Sequence, residues 1–74
     1  MKVRVKLLGI ISFSYPAFRE FRTIDVRQGD TIRDLRQRLG LPEACSSVNG
    51  KLVGEDYELK SDDEVLFFSP ASGG

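Results

Sequence analysis

Few side chains in this chain of 74 residues could do chemistry. There is no histidine, so neither a Ser-His-Asp nor a Cys-His arrangement exists, and no His/Cys metal cluster can be assembled. Cys45 is the single cysteine. No base and no helix N-terminus is evident beside it to favour a thiolate, so it reads as a small packing residue rather than a nucleophile or persulfide acceptor. Asp62, Asp63 and Glu64 are consecutive acids without the alternating spacing of a calcium loop, and they read as a solvated turn. Gly40, Gly50 and Gly54 are isolated, and neither a G-x-G-x-x-G nor a Walker pattern occurs, so any ATP used must be held by another protein. What remains is the Gly73-Gly74 end. Two residues without side chains form a tail able to thread a channel where any Cβ would clash. At ~3.3 Å per residue the stretch from Ala71 to Gly74 reaches roughly 13 Å, enough to carry its carboxylate into a partner's active site.

Such a tail needs a rigid body behind it. Residues 2–8 alternate charged and aliphatic side chains with period two, the pattern of a half-buried strand with Val3, Val5 and Leu7 inward and Lys2, Arg4 and Lys6 outward. Residues 12–18 hold turn formers and Pro16, which suits neither a central strand nor a helix interior. They read as a wide hairpin connection whose Phe13, Tyr15 and Phe18 anchor it to the core edge. Residues 20–27 resume as a second strand, with Ile24 and Val26 on one face. Thr31 with Asp34 three residues later matches a capping box in which Asp replaces Glu or Gln, although Asp30 is an alternative N-cap. Ile32, Leu35 and Leu39 then recur at helical spacing, Gly40 supplies a left-handed C-cap, and Pro42 prevents continuation.

Val48-Asn49-Gly50-Lys51-Leu52-Val53 carries Asn-Gly between apolar residues, the strongest short-range hairpin signal. Leu59 through Glu64 reads as a turn, and Val65-Leu66-Phe67-Phe68 as a last strand, apolar on both faces and ended by Ser69-Pro70. Two strands, a helix and two or more strands describe a sheet wrapped on one helix, the α+β β-grasp layout. The domain is expected at 1–70 and the tail at 71–74. The expected core is Val3, Val5, Leu7, Ile24, Val26, Ile32, Leu35, Leu39, Leu52 and Val65. One short helix covers only one face of the sheet. Leu66 and Phe68, or the alternate pair, are therefore left as a candidate protein interface.

Composition narrows the setting. With 41% apolar and 30% charged residues the chain is an ordinary globular domain, and a chain this short has a thin core with little room for an enclosed pocket. Net charge is zero, yet residues 1–38 hold nine Lys/Arg against four acids and residues 39–74 two against seven. Glu55, Asp56, Glu58, Asp62, Asp63 and Glu64 would suit a basic partner, or be a solvated set of loop charges. The alternating Lys2, Arg4 and Lys6 with no nucleic-acid motif argue against nucleic acid. A single cysteine allows no internal disulfide and points to a cytoplasmic setting. The apolar run Leu7 to Ile11 is too short for a signal-peptide core, and nothing approaches a membrane span.

The segments Val48-Asn49-Gly50-Lys51, Asp63-Glu64-Val65 and Phe67-Phe68-Ser69-Pro70-Ala71-Ser72-Gly73-Gly74 resemble the MoaD/ThiS sulfur-carrier family, prokaryotic relatives of ubiquitin. The aromatic pair, the proline and the terminal Gly-Gly are closest to the small subunit of molybdopterin synthase. Ser69 and Ser61-Asp62 depart from that pattern. The resemblance implies that Gly74 is adenylated and then thiocarboxylated while Gly73 lets the tail thread. Leu66, Phe67, Phe68, Pro70, Ala71 and Ser72 would meet a partner. The implied partners are a ubiquitin-activating-type adenylating enzyme and the large molybdopterin synthase subunit or another sulfur-accepting synthase. ATP and a sulfur donor belong to the activating partner, and the chain itself is expected to bind no cofactor and to be a carrier rather than an enzyme. Carriers for thiamin thiazole or tRNA thiolation, a ubiquitin-like protein modifier and a plain β-grasp interaction module remain open.

Overall fold

A computed structural model describes residues 1–69. Five strands form one mixed sheet: β1 (Lys2–Leu8), β2 (Arg22–Asp25), β3 (Cys45–Val48), β4 (Lys51–Val53) and β5 (Glu64–Phe68), in the order β2-β1-β5-β3-β4. The first and last strands lie side by side and parallel, and the other neighbours are antiparallel. β5, the last segment of the domain in sequence, thus becomes its central strand.

Two short helices complete the fold, α1 (Ile11–Ser14) and α2 (Ile32–Arg38). Thr31 caps α2: its Oγ1 accepts the Asp34 N–H at 3.2 Å, while an Asp34 carboxylate oxygen accepts the Thr31 N–H at 2.9 Å. The shorter Asp closes the box as Glu would, and Thr31, not Asp30, is the N-cap. Asp30 instead accepts the Arg27 N–H at 2.9 Å and pairs with Arg38 at 2.6 Å. The Arg27 bond first, and then Arg38, hold its carboxyl below the usual carboxylate range.

The helix seats Ile32 and Leu35 against the inward residues Val3, Val5, Leu7, Val65 and Phe67, all essentially inaccessible, with Leu59 closing one side. Ile24 and Leu39 pack on this core half-buried, whereas Ile11, Leu41, Ala44 and Val48 are further members. Leu52, expected in the core, is 77% exposed. It sits opposite Ser47 on the edge strand β4, whose inward member is Val53.

The connection after β1 is more structured than a wide hairpin loop. It forms α1 and a single 3-10 turn at Pro16–Phe18. Ile11 is buried, and Tyr15 and Phe18 pack on the core as expected, but Phe13 is 69% exposed. In a single helical turn Ile11 takes the inward position, so Phe13, two residues on, points elsewhere.

At Asn49 and Gly50 the φ angles are 51° and 87°, the left-handed pair that a tight two-residue hairpin requires. That turn is tied to the start of β5. Asn49 Nδ2 donates to Asp63 at 2.9 Å, the Tyr57 hydroxyl donates to it at 3.0 Å and the Lys60 N–H at 2.8 Å. Asp63 is only 5% exposed, so it is a structural acceptor and not part of a solvated turn. Burial, and then this bond to Asp63, push the Tyr57 phenol above its usual range.

Candidate functional site

The side chains of β5 divide cleanly. Val65 and Phe67 face the helix and are buried, while Leu66 and Phe68 face the other way and are half-buried. Register extends this division across the sheet. Directly opposed residues share a face, so Lys6, Leu66, Ser47 and Leu52 form one outward row, and Leu8, Phe68 and Cys45 form the next. No helix among the described residues covers these rows. The sequence left open which pair would be unpartnered, and the pairing of Val5 with Val65 decides it in favour of Leu66 and Phe68.

Phe67 is corrected by the same geometry. It is fully buried among Leu7, Leu35 and Leu59 in the core cluster, so it cannot dock on a partner without unfolding the domain. Pro70, Ala71, Ser72, Gly73 and Gly74 lie outside the described residues. The chain enters that segment from the Phe68 end of β5, where Phe68 is flanked by Leu8 and Cys45. Cys45 is a free thiol, half-buried on the outward row.

The acids are largely turned toward the chain itself. Glu55 binds Arg36 at 2.7 Å and Arg33 at 3.3 Å, and Asp56 binds Arg33 at 2.9 Å. Glu64 pairs with Arg4 across β1 and β5. With Asp63 also occupied, only Glu58 and Asp62 of the six acids lack a side-chain hydrogen bond or ion pair among the described residues. Ion pairs between the two electrical halves of the chain therefore offset most of this acidic cluster, and Glu58 and Asp62 stay exposed. That compensation was not visible along the sequence, because Arg33 and Glu55 lie 22 residues apart.

The described residues enclose no cavity and hold no group of three or more potential metal-ligating side chains. No helix among them is long and apolar enough to cross a membrane. What the arrangement offers is a rigid sheet with an uncovered, partly apolar outer face, at one end of which the chain runs on toward Gly-Gly.

Comparison with known proteins gives the same layout. SAMP1 from Haloferax volcanii superposes with a TM-score of 0.80 over 100% of both chains at 19% identity. A Pyrococcus furiosus protein assigned as molybdopterin converting factor subunit 1 gives 0.74 at 26% identity, over 96% of this chain and 99% of that one. A protein–protein complex of subunits 1 and 2 of the molybdopterin-converting factor from Helicobacter pylori contains a chain with a TM-score of 0.66 at 23% identity, covering 100% of both. Residues 16–74 match the model of the ThiS family, from the turn after α1 through the terminal glycines. The chain belongs to the ThiS family.

Proposed function

We propose that the chain is a sulfur carrier for molybdopterin synthesis, with sulfur held as a thiocarboxylate on Gly74. The observation that carries the reading is the family match that runs to the last residue and so includes Gly73-Gly74. The molybdopterin assignment is supported by the 26% identity to the Pyrococcus furiosus protein over nearly the whole of both chains.

The chemistry follows from the weakness of the starting group. A terminal carboxyl has a pKa of about 3.5, so it is ionised near neutral pH and a poor acyl donor. An adenylating enzyme with ATP converts it to an acyl adenylate and releases pyrophosphate. Hydrosulfide from a sulfur source then attacks the acyl carbon, AMP leaves, and loss of the S–H proton gives a thiocarboxylate with sulfur where oxygen stood. The resulting thiocarboxylate is the softer nucleophile, able to attack an electrophilic carbon of a precursor bound by the partner, and water releases the carrier as a carboxylate. The carrier contributes the reacting terminus and a docking face, with Leu66 and Phe68 in contact with the large synthase subunit. Binding and electrostatic stabilisation of the precursor come from that partner.

The test incubates the chain, as a Cys45→Ser variant, with ATP, its cognate adenylating enzyme and a sulfur source. The C-terminal fragment should gain the mass difference between sulfur and oxygen and become alkylated at Gly74. Removing Cys45 and mapping the fragment exclude thiol and methionine oxidation, which add nearly the same nominal mass. Sulfur transfer to a pterin precursor in the presence of the large subunit, and not to a thiazole precursor or tRNA, completes the assignment. A second reading, a ubiquitin-like modifier, begins with the same activation and draws on the full-length likeness to the archaeal SAMP1. Amide bonds from Gly74 to lysines of other proteins, with no thiocarboxylate formed, would replace the carrier reading with this one.

A further inference from the structure

The most exposed apolar side chains of the described residues include two that stand together: Ile10 at 79% and Phe13 at 69%. The Phe13 N–H donates to the Ile10 carbonyl at 3.0 Å, so one backbone turn holds both. That turn is fixed rather than loose. Ile11 is buried, the Ser12 hydroxyl donates to the Gly9 carbonyl at 2.6 Å, and Tyr15 and Phe18 pack on the core behind it. An apolar pair displayed by a preorganised backbone loses little freedom when something covers it.

Its position matters. Leu8, the last residue of β1, is itself exposed and pairs with Phe68, and β1 and β5 run parallel. The Ile10–Phe13 turn therefore stands at the end of the sheet from which the chain leaves toward Gly74. Five residues follow Ser69 in the sequence, and five residues span at most roughly 17 Å. A protein that takes hold of the terminal carboxylate must come within that distance of this end.

Charge defines the partner further. Lys2, Arg4, Arg33, Arg36 and Arg38 are all in ion pairs. Lys6, Arg19 and Arg22 are in none among the described residues, and each lies over an aromatic ring: Arg19 is 4.9 Å from the Phe13 centroid, Arg22 6.0 Å from that of Phe18, and Lys6 5.6 Å from that of Phe21. Glu20 and, two residues before Cys45, Glu43 are the acids near this end, so Lys6, Arg19 and Arg22 leave it a net positive rim. From these placements we infer that Leu8, Ile10 and Phe13, rimmed by Lys6, Arg19 and Arg22, dock the adenylating enzyme that activates the terminus, and that its matching surface is an apolar recess edged by carboxylates. The inference rests on activation of Gly74, the step that the carrier and modifier readings share. It adjoins the synthase contact of Leu66 and Phe68 at Leu8 and Lys6, and Ile10, Phe13 and Arg19 lie outside that contact.

The experiment measures ATP–pyrophosphate exchange by the adenylating enzyme of the same organism, as a function of carrier concentration and salt. The wild-type chain is compared with Ile10→Ser, Phe13→Ser, Arg19→Glu and, as a charge control at the far end of the sheet, Lys60→Glu. Thermal melts of each variant check the fold. Ile10→Ser and Phe13→Ser should each raise the KM for the carrier about tenfold or more with kcat nearly unchanged, as loss of an interface anchor does. Arg19→Glu should raise KM at low salt, with the difference shrinking as salt screens it, and Lys60→Glu should leave KM alone. If the wild-type chain drives exchange and the three variants match it, the docking surface is wrong while the proposed function stands. If the wild-type chain drives no exchange, both fall. Variants with unchanged KM that lose self-association in sedimentation, or lose binding to anionic phospholipid vesicles, would assign the surface to a second copy or to a membrane and overturn the inference.

Discussion

At its start β5 follows Asp63, a buried carboxylate that accepts hydrogen bonds from Asn49, Tyr57 and the Lys60 backbone. At its finish Phe68 lies half-covered beside exposed Leu8, with Ile10 and Phe13 beyond. The two ends of one five-residue strand are thus built for different purposes. The buried carboxylate at the first end is satisfied within the chain, which locks the hairpin to the central strand. The second end leaves apolar surface and unpaired cations facing outward, where only another molecule can cover them. Sequence composition left the acidic cluster open between a surface for a basic partner and a solvated set of loop charges, and read Phe13 as a loop anchor. The difference shows that a charge run earns an interface reading only after its internal partners have been counted, and that a small domain spends its acids on itself first.

Substitutions within β5 test this contrast most strongly. Phe67→Ala should cost about 3–5 kcal/mol in chemical denaturation, since it empties the centre of a thin core. Phe68→Ala should cost much less, and equal losses at the two positions would erase the distinction between the inner and outer faces.

Next in size is the polar end. Asp63→Ala removes the acceptor for Asn49 and Tyr57 and should destabilise by about 2–3 kcal/mol, because buried donors are left without partners. Glu58→Ala, at an exposed acid without a side-chain partner among the described residues, should stay within about 0.5 kcal/mol. If Asp63 behaves like Glu58, the locked end is only an appearance of the geometry.

Acid titration gives a smaller, graded effect. Asp30 has its folded pKa lowered, first by the Arg27 N–H and then by Arg38. A lowered folded pKa means that its contribution is complete above the ordinary carboxylate value near 4 and is lost as pH falls through the folded value. Denaturation midpoints followed from about pH 6 to pH 2 should therefore fall more steeply for the wild-type chain than for Asp30→Asn. Parallel acid limbs would remove Asp30 from the account of stability.

The smallest expected change is at the open end. Phe13→Ser should alter stability by no more than about 0.5 kcal/mol, because a side chain that is 69% exposed leaves little cavity behind. A loss above about 2 kcal/mol would show that Phe13 supports the core, and the open end would then resemble the closed one.

Short-range patterns in the sequence were enough for several elements. The alternation of residues 2–8, the Thr31/Asp34 box, the Asn49-Gly50 turn and the β-grasp order each depend on residues within a few positions of one another. Their backbone preferences act without help from the rest of the chain.

Other features needed contacts between distant segments. Val65-Leu66-Phe67-Phe68 is apolar at every position, so no periodicity could tell its faces apart. Pairing with β1 on one side and β3 on the other placed Phe67 inside and Phe68 outside. Asp63 looked like its exposed neighbour Asp62 until Asn49, 14 residues away, and Tyr57 came within hydrogen-bond distance. Phe13 looked like a core anchor until Ile11 took the inward position of the turn. The sequence by itself determined the first strand, the capped helix α2 and the tight Asn49-Gly50 turn. The tertiary structure decided which side chains are left for a partner, because a side chain's exposure depends on its neighbours across the sheet and not on those beside it in the chain.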